Sequence, residues 1–89
     1  MLGKIILKVK DMTTKQLLAR VRKYYREKGS ISLHGMEVPE MTQGAGNLVQ
    51  LDRLCEDDGE LGVMCVGEKW FIPLNELTYR ELAQILKRF

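Results

Sequence analysis

Hydrophobic positions along this chain follow two periods, and the changes of period mark its elements. Between Leu61 and Leu74 the period is two. With a hairpin tip centred on Gly67-Glu68, Cys65 faces Trp70, Val63 faces Ile72 and Leu61 faces Leu74. Side chains alternate along a strand, so all six share one face, which the helices should cover. The reverse face then shows Met64 opposite Phe71, a small apolar patch if uncovered. Pro73 complicates the pairing, because proline brings no N–H to a ladder. Either pairing stops at Ile72, or the loop is the four-residue Val66–Lys69 and Pro73 turns its nitrogen away from the partner strand. Both outcomes leave the far side of this strand unpaired near Pro73, as at a sheet edge.

The helical period appears twice, behind nearly the same words. "MTTKQL" and "LTYREL" are each an apolar residue, a threonine, any residue, a base, Gln or Glu, and leucine. Thr13 followed by Gln16, and Thr78 followed by Glu81, have the spacing of a capping box. Met12 with Leu17, and Leu77 with Leu82, suit the hydrophobic staple beside such a box. Leu17, Leu18, Val21, Tyr24 and Tyr25 then form one face of a helix over 13–28, which Gly29 stops. Leu82, Ile85, Leu86 and Phe89 form the inner face of a second helix, over 78–88. The likeness extends upstream at a constant offset of 65, aligning "KIILKVKDMTTKQL" with "KWFIPLNELTYREL". Strand-to-helix junctions converge on this solution because orphan amides demand a cap. The repeat therefore reads as architecture rather than as chemistry.

The remaining segments are shorter. Residues 4–10 are a short β-rich segment that reads as a strand, and Ile31 and Leu33 alternate with serines over 31–37. Asp57-Asp58-Gly59 is a turn signal. The run 48–56 before it suits a helix through Leu48, Leu51, Leu54 and Cys55. It equally suits a strand through Val49, Leu51, Arg53 and Cys55 with a bulge near the turn. The strand is preferred, since the turn leads into a hairpin and no cap precedes a helix. "PEMTQGAGN" is a loop. The expected fold is α+β, a mostly antiparallel sheet of four to five strands with two helices on one face, in the order β-α-β-β-β-β-α.

With 89 residues and 10.3 kDa, residues 1–89 make one small domain. No stretch approaches a membrane span and the N-terminal run lacks a signal peptide's apolar core, so a cytoplasmic location is expected. The net charge of +2 conceals blocks. Residues 1–36 carry nine bases against Asp11 and Glu27, hence +7. Residues 37–68 carry eight acids against Arg53, hence −7. Residues 69–89 return to +2. Such blocks attract one another within the fold or on a second copy.

Candidate chemistry is sparse. His34 with Cys55 or Cys65 as nucleophile is conceivable, but nothing in the sequence brings them together. The cysteines read as small buried hydrophobes rather than a disulfide. One histidine and no paired cysteine motif argue against zinc. "GAGN" lacks the lysine and hydroxyl of a phosphate loop, and "DRLCEDDGE" lacks the ligand pattern of a calcium loop. No catalytic residue, metal ligand or cofactor is expected, and the chain reads as a non-enzymatic interaction module. Its partner is a protein or a second copy, joined through a sheet edge or the Met64 and Phe71 patch. The alternative is a nucleic-acid binder using the basic face of helix 13–28, with Lys15, Arg20, Arg22, Lys23 and Arg26 as its contacts.

Overall fold

The computed structural model describes residues 12–39 and 47–89. The strand expected over 4–10 and most of the loop at 39–47 lie outside them. Two helices, α1 (Thr14–Lys28) and α2 (Tyr79–Lys87), accompany four strands: β1 (Glu37–Pro39), β2 (Leu48–Asp57), β3 (Glu60–Cys65) and β4 (Phe71–Pro73). The sheet is antiparallel throughout, in the order β1-β2-β3-β4. The fold is α+β, with both helices against one side of the sheet.

Both capping boxes are closed. The Thr13 N–H donates to Gln16 Oε1 at 2.8 Å, and the Gln16 N–H donates to Thr13 Oγ1 at 3.1 Å. At α2 the same pair of bonds joins Thr78 and Glu81 at 2.9 and 3.1 Å. Each box satisfies two amides that the first turn leaves without helical partners. Gly29 ends α1 with φ at 80° and its N–H on the Tyr25 carbonyl. Leu17 and Val21 from α1 and Leu82, Ile85 and Leu86 from α2 are buried together with the sheet's inner face. Tyr24 and Tyr25 pack at the rim of this core, and the Tyr24 ring meets Phe89 edge-on at 5.4 Å.

The β3–β4 register is the expected one: Val63 opposes Ile72 and Met64 opposes Phe71. The connection is the four-residue alternative. The Cys65 N–H donates to the Trp70 carbonyl at 3.0 Å, so Val66–Lys69 form the loop. Antiparallel pairs alternate between bonded and non-bonded. Counting from Cys65 and Trp70, the Gly62 and Pro73 pair is non-bonded, and Pro73 turns its nitrogen outward. Five of the six residues expected on the dry face are buried there: Leu61, Val63, Cys65, Ile72 and Leu74. Trp70 departs from that expectation and stands 38% exposed, because it lies on the last rung, where the β3–β4 ladder ends.

Two other expectations are corrected. Leu48–Asp57 is a strand, as preferred, but its bulge falls between Leu51 and Arg53, mid-strand rather than near the turn. That extra residue puts both Leu51 and Leu54 in the core, which is why the run also matched a helix. The strand expected over 31–37 begins only at Glu37. Its upstream part still lies along β2, through the Ser32 and Arg53 bridge and bonds from Leu33 to Asp52 and from Leu54 to Ile31. A turn at His34-Gly35 interrupts it. The Met36 N–H closes that turn on the Leu33 carbonyl, and Gly35 takes φ 94°.

Candidate functional site

Three places on the surface concentrate features that contacts or chemistry would use. The first is the sheet face turned away from the helices. There Met64 and Phe71 are both half-buried and sit opposite one another in a non-bonded pair, where cross-strand side chains come closest. The Phe71 ring lies over Gly62, whose missing Cβ leaves the space: a Cβ there would stand 2.6 Å from Phe71 Cζ. Cys55 pairs with Gly62 and lies half-buried beside this cluster.

At the end of the sheet lie Leu48, Val66 and Trp70, which are 58%, 50% and 38% exposed. Trp70, opposite Cys65, has the parity of the helix-facing side rather than that of Met64 and Phe71. All three lie near the Leu51 and Cys65 rung, which ends the β2–β3 ladder. Leu48 is three residues before it, Val66 follows it, and Trp70 is bonded to Cys65. Among the described residues these are the large hydrophobic side chains most open to solvent. Period-two reading placed Trp70 in the core and passed over Leu48 and Val66. Alternation reports which face a residue takes, and is silent on where the sheet stops.

The second place is a polar cluster that joins the two irregularities of the sheet. His34 Nε2 lies 2.8 Å from Asp52 Oδ1. Arg53 donates from Nη1 to Asp52 Oδ2 at 2.6 Å and from Nη2 to Glu68 Oε2 at 3.3 Å. Arg88, beyond the last turn of α2, donates to the His34 carbonyl at 2.6 Å. The turn at His34 and the bulge at Asp52 are thus pinned to each other and to the chain's end. The hydrogen bonds from His34 and then Arg53 hold the Asp52 carboxyl below its ordinary value of 3.8. A carboxyl depressed in the folded state stabilises the fold above its unfolded value, and that contribution is lost as pH falls through the folded one. Thermal stability is therefore expected to drop as pH is lowered from about 5 to about 3, and Asp52→Asn should flatten this part of the profile. Identical profiles for the two proteins would show that the cluster is ornamental.

His34 is engaged with Asp52, and the structure shows no bond from its ring to either thiol. Burial pushes both cysteine thiols up, so at neutral pH they are protonated and poorly nucleophilic. Cys65 lies inside the core, and Cys55 belongs to the opposite face. Among the described residues, no group of three or more His, Cys, Asp or Glu side chains is placed to hold a metal ion. No helix among them is long and apolar enough to cross a membrane.

The third place is the outer side of α1. Lys15, Arg22, Lys23 and Arg26 are exposed and Arg20 is half-exposed. Among the described residues, no carboxylate lies within 4.0 Å of any of them. Arg22 and Arg26 share a shallow groove of about 150 Å³ with Glu56, Gly59 and Leu61. There the basic helix lies beside the acidic β2–β3 turn, whose Asp58 and Gly59 both take positive φ. Gln16, at the N-terminal end of this helix, has its side-chain oxygen occupied by the cap.

No known protein family, curated protein or solved structure matches this chain.

Proposed function

We propose that this chain is a non-catalytic interaction module that associates with a second copy of itself through the open end of its sheet. The observation that carries the reading is that the three large hydrophobic side chains most open to solvent among the described residues, Leu48, Val66 and Trp70, all lie near the end of the sheet where the β2–β3 ladder stops, with half-buried Met64 and Phe71 on the adjoining rung. Exposed apolar patches of this kind mark contact surfaces, and a tryptophan near the centre of one is the side chain that most often dominates binding. A second copy fits because the patch carries both signs of charge at its rim. Glu68, which also accepts from Arg53, and Lys69 lie between Val66 and Trp70, so a two-fold axis through this loop sets Lys69 of each copy near the acidic Glu68 of the other. The protonated thiols and the engaged histidine agree with a role without chemistry.

Sedimentation of the purified chain should show a dimer with a dissociation constant on the order of micromolar. Trp70→Asp should weaken it at least about 30-fold, the value of a central contact worth about 2 kcal/mol. Met64→Lys should weaken it less, being further from the end. A wild-type chain that stays monomeric at about 100 μM, or a dimer indifferent to Trp70→Asp, would end this reading.

A further inference from the structure

We propose that the outer face of α1 docks on the phosphodiester backbone of a nucleic-acid duplex without reading its sequence. This proposal is independent of self-association through the sheet. The helix turns 3.6 residues per turn, so exposed Ala19 lies between two rows of cations. Lys15, Arg22 and Arg26 form one row, and Arg20 and Lys23 form the other. On the second side an open groove of about 480 Å³ runs along Met12, Gln16, Ala19, Arg20 and Lys23. A short side chain between rows of long bases lets a polyanion approach closely while both rows reach it.

Length and charge match one side of a duplex. From Lys15 to Arg26 the helix covers about 16 Å at 1.5 Å per residue. Counting both strands, a duplex carries a phosphate about every 1.7 Å of its axis, so about ten lie along this length and four or five of them on the side that faces the helix. The cations have no carboxylate partner among the described residues, so little has to be broken before they engage phosphate.

Two structural facts remove sequence reading and single strands. Gln16 cannot present its full amide to an adenine edge while its oxygen holds the Thr13 amide. Tyr24 and Tyr25 belong to the core rim, with Tyr24 against Phe89, so the cationic face offers no aromatic platform on which unpaired bases stack. The acidic β2–β3 turn beside Arg22 and Arg26 repels phosphate, which biases the backbone towards the N-terminal part of α1.

The test is fluorescence anisotropy of the full chain with two labelled duplexes of unrelated sequence, at low and raised salt. Both duplexes should bind within about twofold of each other, as a backbone reader requires. Raising salt fourfold, from about 50 to about 200 mM, should weaken binding about 150- to 500-fold, the loss for four or five phosphate contacts. Arg20→Ala with Lys23→Ala should cut that salt-dependent factor about 12-fold, as two lost contacts require. Arg80→Gln, on α2, should change nothing. Circular dichroism checks that the variants fold; should the first pair unfold, Lys15→Gln with Lys23→Gln, both on exposed side chains, replaces it with the same expectation. Trp70→Asp should leave duplex binding intact, which separates this surface from the sheet end. The proposal is overturned by no binding at low salt, by a salt dependence that the double variant leaves unchanged, or by polyglutamate displacing duplex as well as unlabelled duplex does. The last result would assign the face to an acidic protein instead.

Discussion

Gly62→Ala is expected to destabilise the fold by at least about 2 kcal/mol, the upper range of overpacking costs. A Cβ on Gly62 would stand 2.3 Å from the Ile72 carbonyl oxygen, 3.0 Å from its carbon and 2.6 Å from Phe71 Cζ. The aromatic ring could swing aside at the cost of leaving its place over the strand. The carbonyl cannot, because it belongs to the backbone of β4, held in register by the neighbouring Val63 and Ile72 pair. The demand here is for space, since Gly62 is not among the residues of positive φ. Denaturant unfolding measures the loss. Adding Phe71→Ala should fail to restore stability, because the clash with backbone remains. A Gly62→Ala protein within about 0.5 kcal/mol of wild type, the usual range of surface changes, would show that β4 is not held as closely as the structure has it.

Leu82→Ala should cost about 2–5 kcal/mol, as burying and then deleting a leucine side chain does elsewhere. Leu82 is fully buried. Alanine favours helix at least as well as leucine, so the loss isolates packing from helix propensity. The α2 helix has nine residues, too few to persist alone in water. Its attachment rests on Leu82, Ile85 and Leu86, with Phe89 against Tyr24 at the end. A domain of this size holds about 4–13 kcal/mol in all, so this single change consumes a large share. Hydrogen exchange gives a sharper readout than melting. The α2 amides should lose protection before those of β2 and β3. Uniform loss across the chain would mean that α2 and the sheet unfold as one unit, and that the helix is not the weaker part.

The two surfaces differ in how they come into being. The α1 face is local, since residues 15–26 supply all of its cations from one helix. The sheet end is assembled from residues 48, 66 and 70, which are brought to one end only after β2, β3 and β4 have paired. The first was therefore legible in sequence as a helical stripe. The second was read wrongly at Trp70, which period two assigned to the core. His34 shows the same limit. Its partner Asp52 is eighteen residues away and reaches it through a bulge that no pattern of hydrophobic positions announces.

What the amino-acid order determined by itself is whatever one turn or one hairpin decides. Both capping boxes, the Gly29 stop, the Asp58-Gly59 turn and the Cys65–Trp70 register depend on groups a few residues apart, and their geometry follows from hydrogen-bond reach and side-chain alternation. Tertiary structure alone decided the mid-strand bulge, the break at His34-Gly35 and the place where the sheet ends. Those depend on which distant backbone lies alongside. Burial belongs to the whole packed chain, whereas periodicity belongs to a single segment, and so a tryptophan with the right parity still stands in water.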